Sequence, residues 1–83
     1  KMDIFQNDSQ VLQIANLTVE NGQDSILIAG DVEIEKTQIG KQQAQMLYDF
    51  AKELWQTFEK IDDLPETLPK NSLENDSIEN PFA

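Results

Sequence analysis

An amphipathic stretch over residues 38–61 constrains this chain more than any other feature, because it runs directly into an acidic, proline-punctuated tail. At 100° per residue, Gln43, Leu47, Phe50, Ala51, Leu54, Phe58 and Ile61 fall on one stripe of a helix. Ala44, Tyr48 and Trp55 widen the stripe on one flank, and Ile39 and Met46 widen it on the other. The apolar arc spans about half the circumference, more than the ~100° that a single sheet face requires. Asp49, Lys52, Glu53, Thr57 and Lys60 take the opposite side, with Asp49 and Lys52 spaced for a weak ion pair. Thr37 supplies the N-cap. Gly40 weakens the first turn by about 1 kcal/mol relative to alanine, or else permits close contact with a sheet. Leu64-Pro65 ends the pattern, since proline disfavours helical geometry in the residue before it.

Upstream, the period changes from helical to extended. Residues 2–6 read as a short edge strand, and Asn7-Asp8-Ser9-Gln10 as a turn held by local side-chain bonds. Residues 11–20 are rich in Val, Leu, Ile and Thr and read as a strand. Their alternation is imperfect, and a bulge or change of face near Ala15-Asn16 would reconcile it. Asn21-Gly22-Gln23-Asp24 is the clearest turn, since Asn-Gly favours the positive φ of a tight hairpin. Residues 25–36 alternate again: Ile26, Ile28, Val32 and Ile34 share a face with Gly30, while Leu27, Ala29, Asp31, Glu33 and Glu35 share the other. Gly30 marks a bulge or a close helix crossing. The expected fold is α+β: a two- or three-stranded antiparallel meander packed against one long amphipathic helix. It divides into a domain over residues 1–61 and an acidic tail over residues 62–83 whose composition leaves it flexible when alone.

Composition excludes whole classes of chemistry. The chain of 83 residues has neither cysteine nor histidine, which removes thiol nucleophiles, imidazole bases and the usual zinc ligands. No catalytic centre, metal site or cofactor is expected. Arginine is missing as well, and the net charge is −10. That balance disfavours direct binding to nucleic acid or to an anionic membrane surface, and favours solubility and basic partners. No apolar run reaches membrane-spanning length. Residues 1–6 lack the apolar core of a signal peptide, so the expected compartment is the cytoplasm, and the sequons at Asn7, Asn16 and Asn75 are taken as chance matches.

Four sets of residues are candidates for function. The apolar helix surface (Met46, Leu47, Tyr48, Phe50, Leu54, Trp55 and Phe58) is large for so small a domain, and Trp and Tyr dominate interface hot spots. The plain alternative is that this surface covers the domain's own core. Asp31, Glu33 and Glu35 alternate along a strand, about 6–7 Å apart, which is too dispersed for one calcium ion but suits a row of charges facing a basic partner or a solvated edge. Asp62-Asp63 beside Glu59 opposes the helix dipole, at little consequence if the end frays. Ile78, Pro81 and Phe82 sit among acids at positions 74, 76 and 79, as docking peptides do.

The ending Ser77-Ile78-Glu79-Asn80-Pro81-Phe82-Ala83 resembles the acidic Pro-Phe tip of bacterial single-stranded-DNA-binding proteins, and Asn80-Pro81-Phe82 is similar to the peptide read by eukaryotic EH domains. Each resemblance covers three to six residues, and no OB-type sequence precedes the tip, so it implies a docking peptide and nothing further. The expected function is a non-enzymatic interaction module (an assembly component, adaptor or small chaperone). It would bind a protein partner or a second copy through the helix, with the tail as accessory. The alternative is an inhibitor of the kind phages use, imitating nucleic acid against a DNA- or RNA-binding enzyme.

Overall fold

A computed structural model describes residues 1–69. The order of elements is β1 (Val11–Ile14), β2 (Leu17–Asn21), β3 (Ile26–Ala29) and α1 (Gln38–Glu59), with the strands forming one antiparallel sheet in the order β1-β2-β3. The α+β meander and long helix follow the sequence pattern, but the strands lie elsewhere than that pattern suggests.

Residues 11–20 form a hairpin, not one strand. Ile14 pairs with Leu17, leaving Ala15-Asn16 as a two-residue loop. Ala15 adopts φ 54°, the positive value that mirror-image hairpin turns need at their first central position. With the chain reversed there, Leu12 and Ile14 share a face with Leu17 and Val19, and the imperfect alternation is resolved without a bulge. The Asn-Gly pair is not a tight-turn centre: Asn21 is the last residue of β2, paired with Ile26, and residues 22–25 form the loop. β3 stops at Ala29, because Gly30 turns away at φ 93° with its α-carbon against the Asn16 carbonyl. Any other residue would carry a Cβ into that backbone, so Gly30 ends the strand instead of continuing it to residue 36.

The largest correction concerns residues 2–6. They form a turn, closed by a 2.9 Å bond from the Gln6 N–H to the Asp3 carbonyl, with Phe5 at φ 65°. A short Met-Asp-Ile-Phe run imitates strand alternation, but a set of polar side chains holds it bent. The buried Asn21 amide donates to the Asp3 carbonyl at 2.8 Å and to Asn7 Oδ1 at 3.2 Å, while its Oδ1 accepts the Phe5 N–H at 3.0 Å. Gln10 Oε1 accepts from the Asp3 N–H at 2.8 Å, and Asn7 Oδ1 accepts the N–H groups of Ser9 and Gln10. The turn thereby places Ile4 in the core.

Ile14 at the end of β1 is buried as well, and the central cluster joins Ile4 from the turn, Val19 from the sheet and Phe50 from the helix. Met2, Phe5, Leu12, Ile26 and Leu54 pack around them. Each such side chain contributes about 1.5–3 kcal/mol when fully buried, so a domain this small rests on very few residues. Phe5 meets Phe58 edge-to-face, with ring centroids 5.5 Å apart.

The helix begins as expected. Thr37 is extended at φ −141°, and its Oγ1 accepts the Gly40 N–H at 3.0 Å. Gly40 is buried not against the sheet but against the carbonyl of Glu35, which also accepts the Thr37 N–H at 2.8 Å. The helix ends at Glu59 with Lys60 as C-cap, two residues short of Ile61.

Two substitutions test this arrangement by urea unfolding. Asn21→Ala strands the Phe5 N–H and removes one of the two bonds that the Asp3 carbonyl accepts, and is expected to cost roughly 1–3 kcal/mol. A cost below that of an ordinary surface change would show that the turn holds without the amide. Gly40→Ala improves helix propensity by about 1 kcal/mol, yet is expected to lose about 1–3 kcal/mol net, because the new methyl meets backbone.

Candidate functional site

Helix α1 separates its apolar residues into two groups. Phe50 is buried, and Leu47, Leu54 and Phe58 are half-buried. Leu54 packs on the core and Phe58 stacks on Phe5, so much of this stripe is engaged within the domain. The second group faces solvent. Tyr48 is 58% exposed and Trp55 63% exposed, and Ala44 and Ala51 are exposed too.

Positions 44, 48, 51 and 55 follow a 4-3-4 spacing, the repeat of a helix–helix seam. Two large aromatic side chains then stand on one flank, with the small Ala51 between them and Ala44 one turn before Tyr48. Lys52 holds its ammonium 5.9 Å from the centre of the Tyr48 ring. At an exposed site such an interaction contributes about 0.5–1 kcal/mol. Lys52 therefore does not pair with Asp49, whose Oδ1 instead accepts from Gln45 Nε2 at 2.9 Å.

Met46 is directed elsewhere. With Phe50 and Glu53 it forms the helical wall of a cleft of about 660 Å³, opposite Met2, Val11 and Leu12. Lys1 Nζ reaches Glu53 Oε2 at 3.5 Å across this cleft. The pair is largely exposed and is worth little, about 0–1 kcal/mol. The seven helix positions singled out from sequence thus fall into three environments: Leu47, Phe50, Leu54 and Phe58 toward the core, Tyr48 and Trp55 on an open flank, and Met46 at the cleft.

Asp31, Glu33 and Glu35 are exposed, but not on a strand. They lie in the irregular segment between Gly30 and the helix, so strict alternation on one sheet face is lost. Among the described residues no three acids converge as metal ligands would, and the one salt bridge is that of Lys1 with Glu53. Among those residues, too, no helix is long and apolar enough to cross a membrane. Ile78, Pro81 and Phe82 lie outside the described residues.

Sequence reasoning missed one surface, the outer side of β3. Leu27 and Ile28 are 57% and 53% exposed although they stand in the most apolar strand of the sheet. The available signal was the position of β3 as the last strand before the chain leaves for the helix, which makes it an edge.

The division of the helix is measurable. Phe50→Ala is expected to cost about 3–5 kcal/mol, as for a buried aromatic. Trp55→Ala is expected to change unfolding by about 0.5 kcal/mol or less. Trp55 is the sole tryptophan, so its emission reports this flank alone and should be red-shifted and open to acrylamide quenching. Blue-shifted, protected emission would place Trp55 in a packed site.

No family model, no curated protein and no solved structure matches this chain, and its own surfaces therefore carry what can be said of its role.

Proposed function

We propose that the domain is a non-enzymatic protein–protein interaction module whose binding element is the seam Ala44-Tyr48-Ala51-Trp55. The observation that supports this is the exposure of Trp55 and Tyr48 on one flank of a helix whose other apolar stripe already serves the core. Trp and Tyr offer large contact area at low entropic cost, and i, i+3, i+7 anchors suit a helix laid in a groove or against another helix. The partner is a protein with a complementary apolar groove or helix, or a second copy of the chain. An assembly component, adaptor or small chaperone fits this reading, with the segment containing Ile78, Pro81 and Phe82 as an accessory contact.

The test compares capture of a partner by the native chain, by Tyr48→Ala with Trp55→Ala, and by a chain truncated after Thr67, at low and high salt. The double substitution is expected to weaken binding by about 2 kcal/mol or more, as hot-spot truncations do, while leaving folding intact. Binding through an apolar seam should also survive high salt. Unchanged binding by the double variant would sink the assignment.

A second reading is supported by the exposure of Asp31, Glu33 and Glu35 with no cation paired to them among the described residues. In that reading the chain imitates nucleic acid for a basic enzyme. Inhibition would then compete with DNA, fall steeply with salt and vanish when the three acids are changed to lysine.

A further inference from the structure

The outer margin of β3 is built to pair and is left unpaired. β3 bonds to β2 on one side, and the sheet order leaves its other side at the edge. Among the described residues no further backbone or side-chain hydrogen bond reaches Ile26–Ala29. Alternate residues of such a strand direct N–H and C=O groups outward, as a template for another chain. Natural edges are usually protected by shortness, lysine, proline, a bulge or an inward charge. Ile-Leu-Ile-Ala is short, at four residues, and has none of the others. Leu27 and Ile28 point to opposite faces of the sheet, and each is more than half exposed, so an added strand would find apolar neighbours on both faces.

The charges stand at the two ends of the edge: Asp24 before β3, and Asp31 and Glu33 after it. Their placement decides between occupants. In an antiparallel pairing of two copies centred on β3, Ile26 faces Ala29 of the second copy, and Asp24 comes to the end occupied by Asp31 of that copy. By symmetry the clash occurs twice, and like charges facing across strands are destabilising. Two chains each of charge −10 also repel at long range. A foreign strand with Lys or Arg at both ends converts each clash into an attraction.

We propose that the outer edge of β3 accepts an extended segment of a partner protein, apolar or β-branched at its centre and basic at both ends, as an added antiparallel strand. This surface uses none of the residues of the helix seam. It stands or falls separately from the interaction proposed for Tyr48 and Trp55.

The experiment titrates the ¹⁵N-labelled full chain with a blocked peptide of alternating Val and Thr between terminal lysines, and with a counterpart ending in glutamates. Expected are shifts and slowed hydrogen exchange at alternate amides of Ile26–Ala29, with Trp55 emission unchanged. Two charge pairs switched in sign should make the glutamate peptide bind roughly tenfold more weakly. Asp24→Lys with Asp31→Lys alters two exposed side chains and should reverse that preference. Tyr48→Ala with Trp55→Ala should leave the binding of both peptides unchanged, which separates this edge from the seam. The proposal is overturned if millimolar lysine-ended peptide leaves β3 unshifted, if shifts appear at the helix seam alone, or if sedimentation of the free chain shows a dimer with the β3 amides already protected.

Discussion

The Asn21 side chain ties the N-terminal turn to the middle strand, and most of the fold is arranged around that tie. Its amide donates to the Asp3 carbonyl and the Asn7 side chain, which the turn also bonds, and accepts the Phe5 N–H, which has no other partner among the described residues. Phe5 stands at positive φ, a conformation that costs a bulky residue about 1–3 kcal/mol and persists only when its surroundings fix it. The hydrogen bond to Asn21 and the edge-to-face packing on Phe58 are what fix it here. A buried polar group is destabilising when half satisfied and specifying when fully satisfied. In Asn21 the satisfied case sets which way the first residues of the chain turn, and hence that Ile4 enters the core.

The turn has consequences for the helix. A three-stranded sheet with strands of four or five residues has little surface to offer a helix of 22 residues. With Ile4 and Phe5 filling space between them, Phe50, Leu54 and Phe58 find partners. Among the described residues no further layer covers the adjoining flank, and Ala44, Tyr48, Ala51 and Trp55 are exposed. The wide apolar arc read from sequence is therefore divided among the core, an open flank and, at Met46, the cleft. The boundary between them is drawn by the size of the domain, not by any change of residue type along the helix.

What the sequence made legible was what depends on local period and local chemistry. The helix, its Thr37 cap and the inward positions Phe50, Leu54 and Phe58 follow from spacing alone, whereas Ala51 and Ile61, read on the same stripe, are exposed. The strand boundaries did not, and each failure has a cause in a particular residue. Ala15 takes a hairpin position that glycine or asparagine usually marks, so the reversal between Ile14 and Leu17 carried no punctuation. Asn21-Gly22 carried the punctuation without the tight turn, because the asparagine is held in the strand by long-range bonds. Gly30 was visible, but whether it bends or ends a strand depends on the Asn16 carbonyl, fourteen residues upstream. The acidic positions were legible as exposed and not as a row, since their alternation needed the strand that Gly30 terminates. The open flank of Trp55 was legible only as one of two equal possibilities, since exposure depends on how much of the rest of the chain is available to cover it.

The two surfaces proposed to pair with protein differ in how they would select. The helix seam presents aromatic area with Lys52 beside it, so its discrimination rests on shape and on what a partner can offer to Tyr48 and Trp55. The β3 edge presents backbone, which fits any extended chain, and its discrimination has to come from the acids at its ends. Backbone pairing without such a filter would expose the chain to edge-to-edge self-association. Carboxylates beyond the strand ends act against that without occupying the apolar positions. They leave Leu27 and Ile28 free to contact an added strand while making a second copy of the same strand the wrong one. Salt weakens this filter over distances beyond about 8 Å at physiological ionic strength, whereas the contact between facing side chains is screened much less. Selection by charge at the ends and adhesion by apolar contact at the centre are then separable properties of one edge.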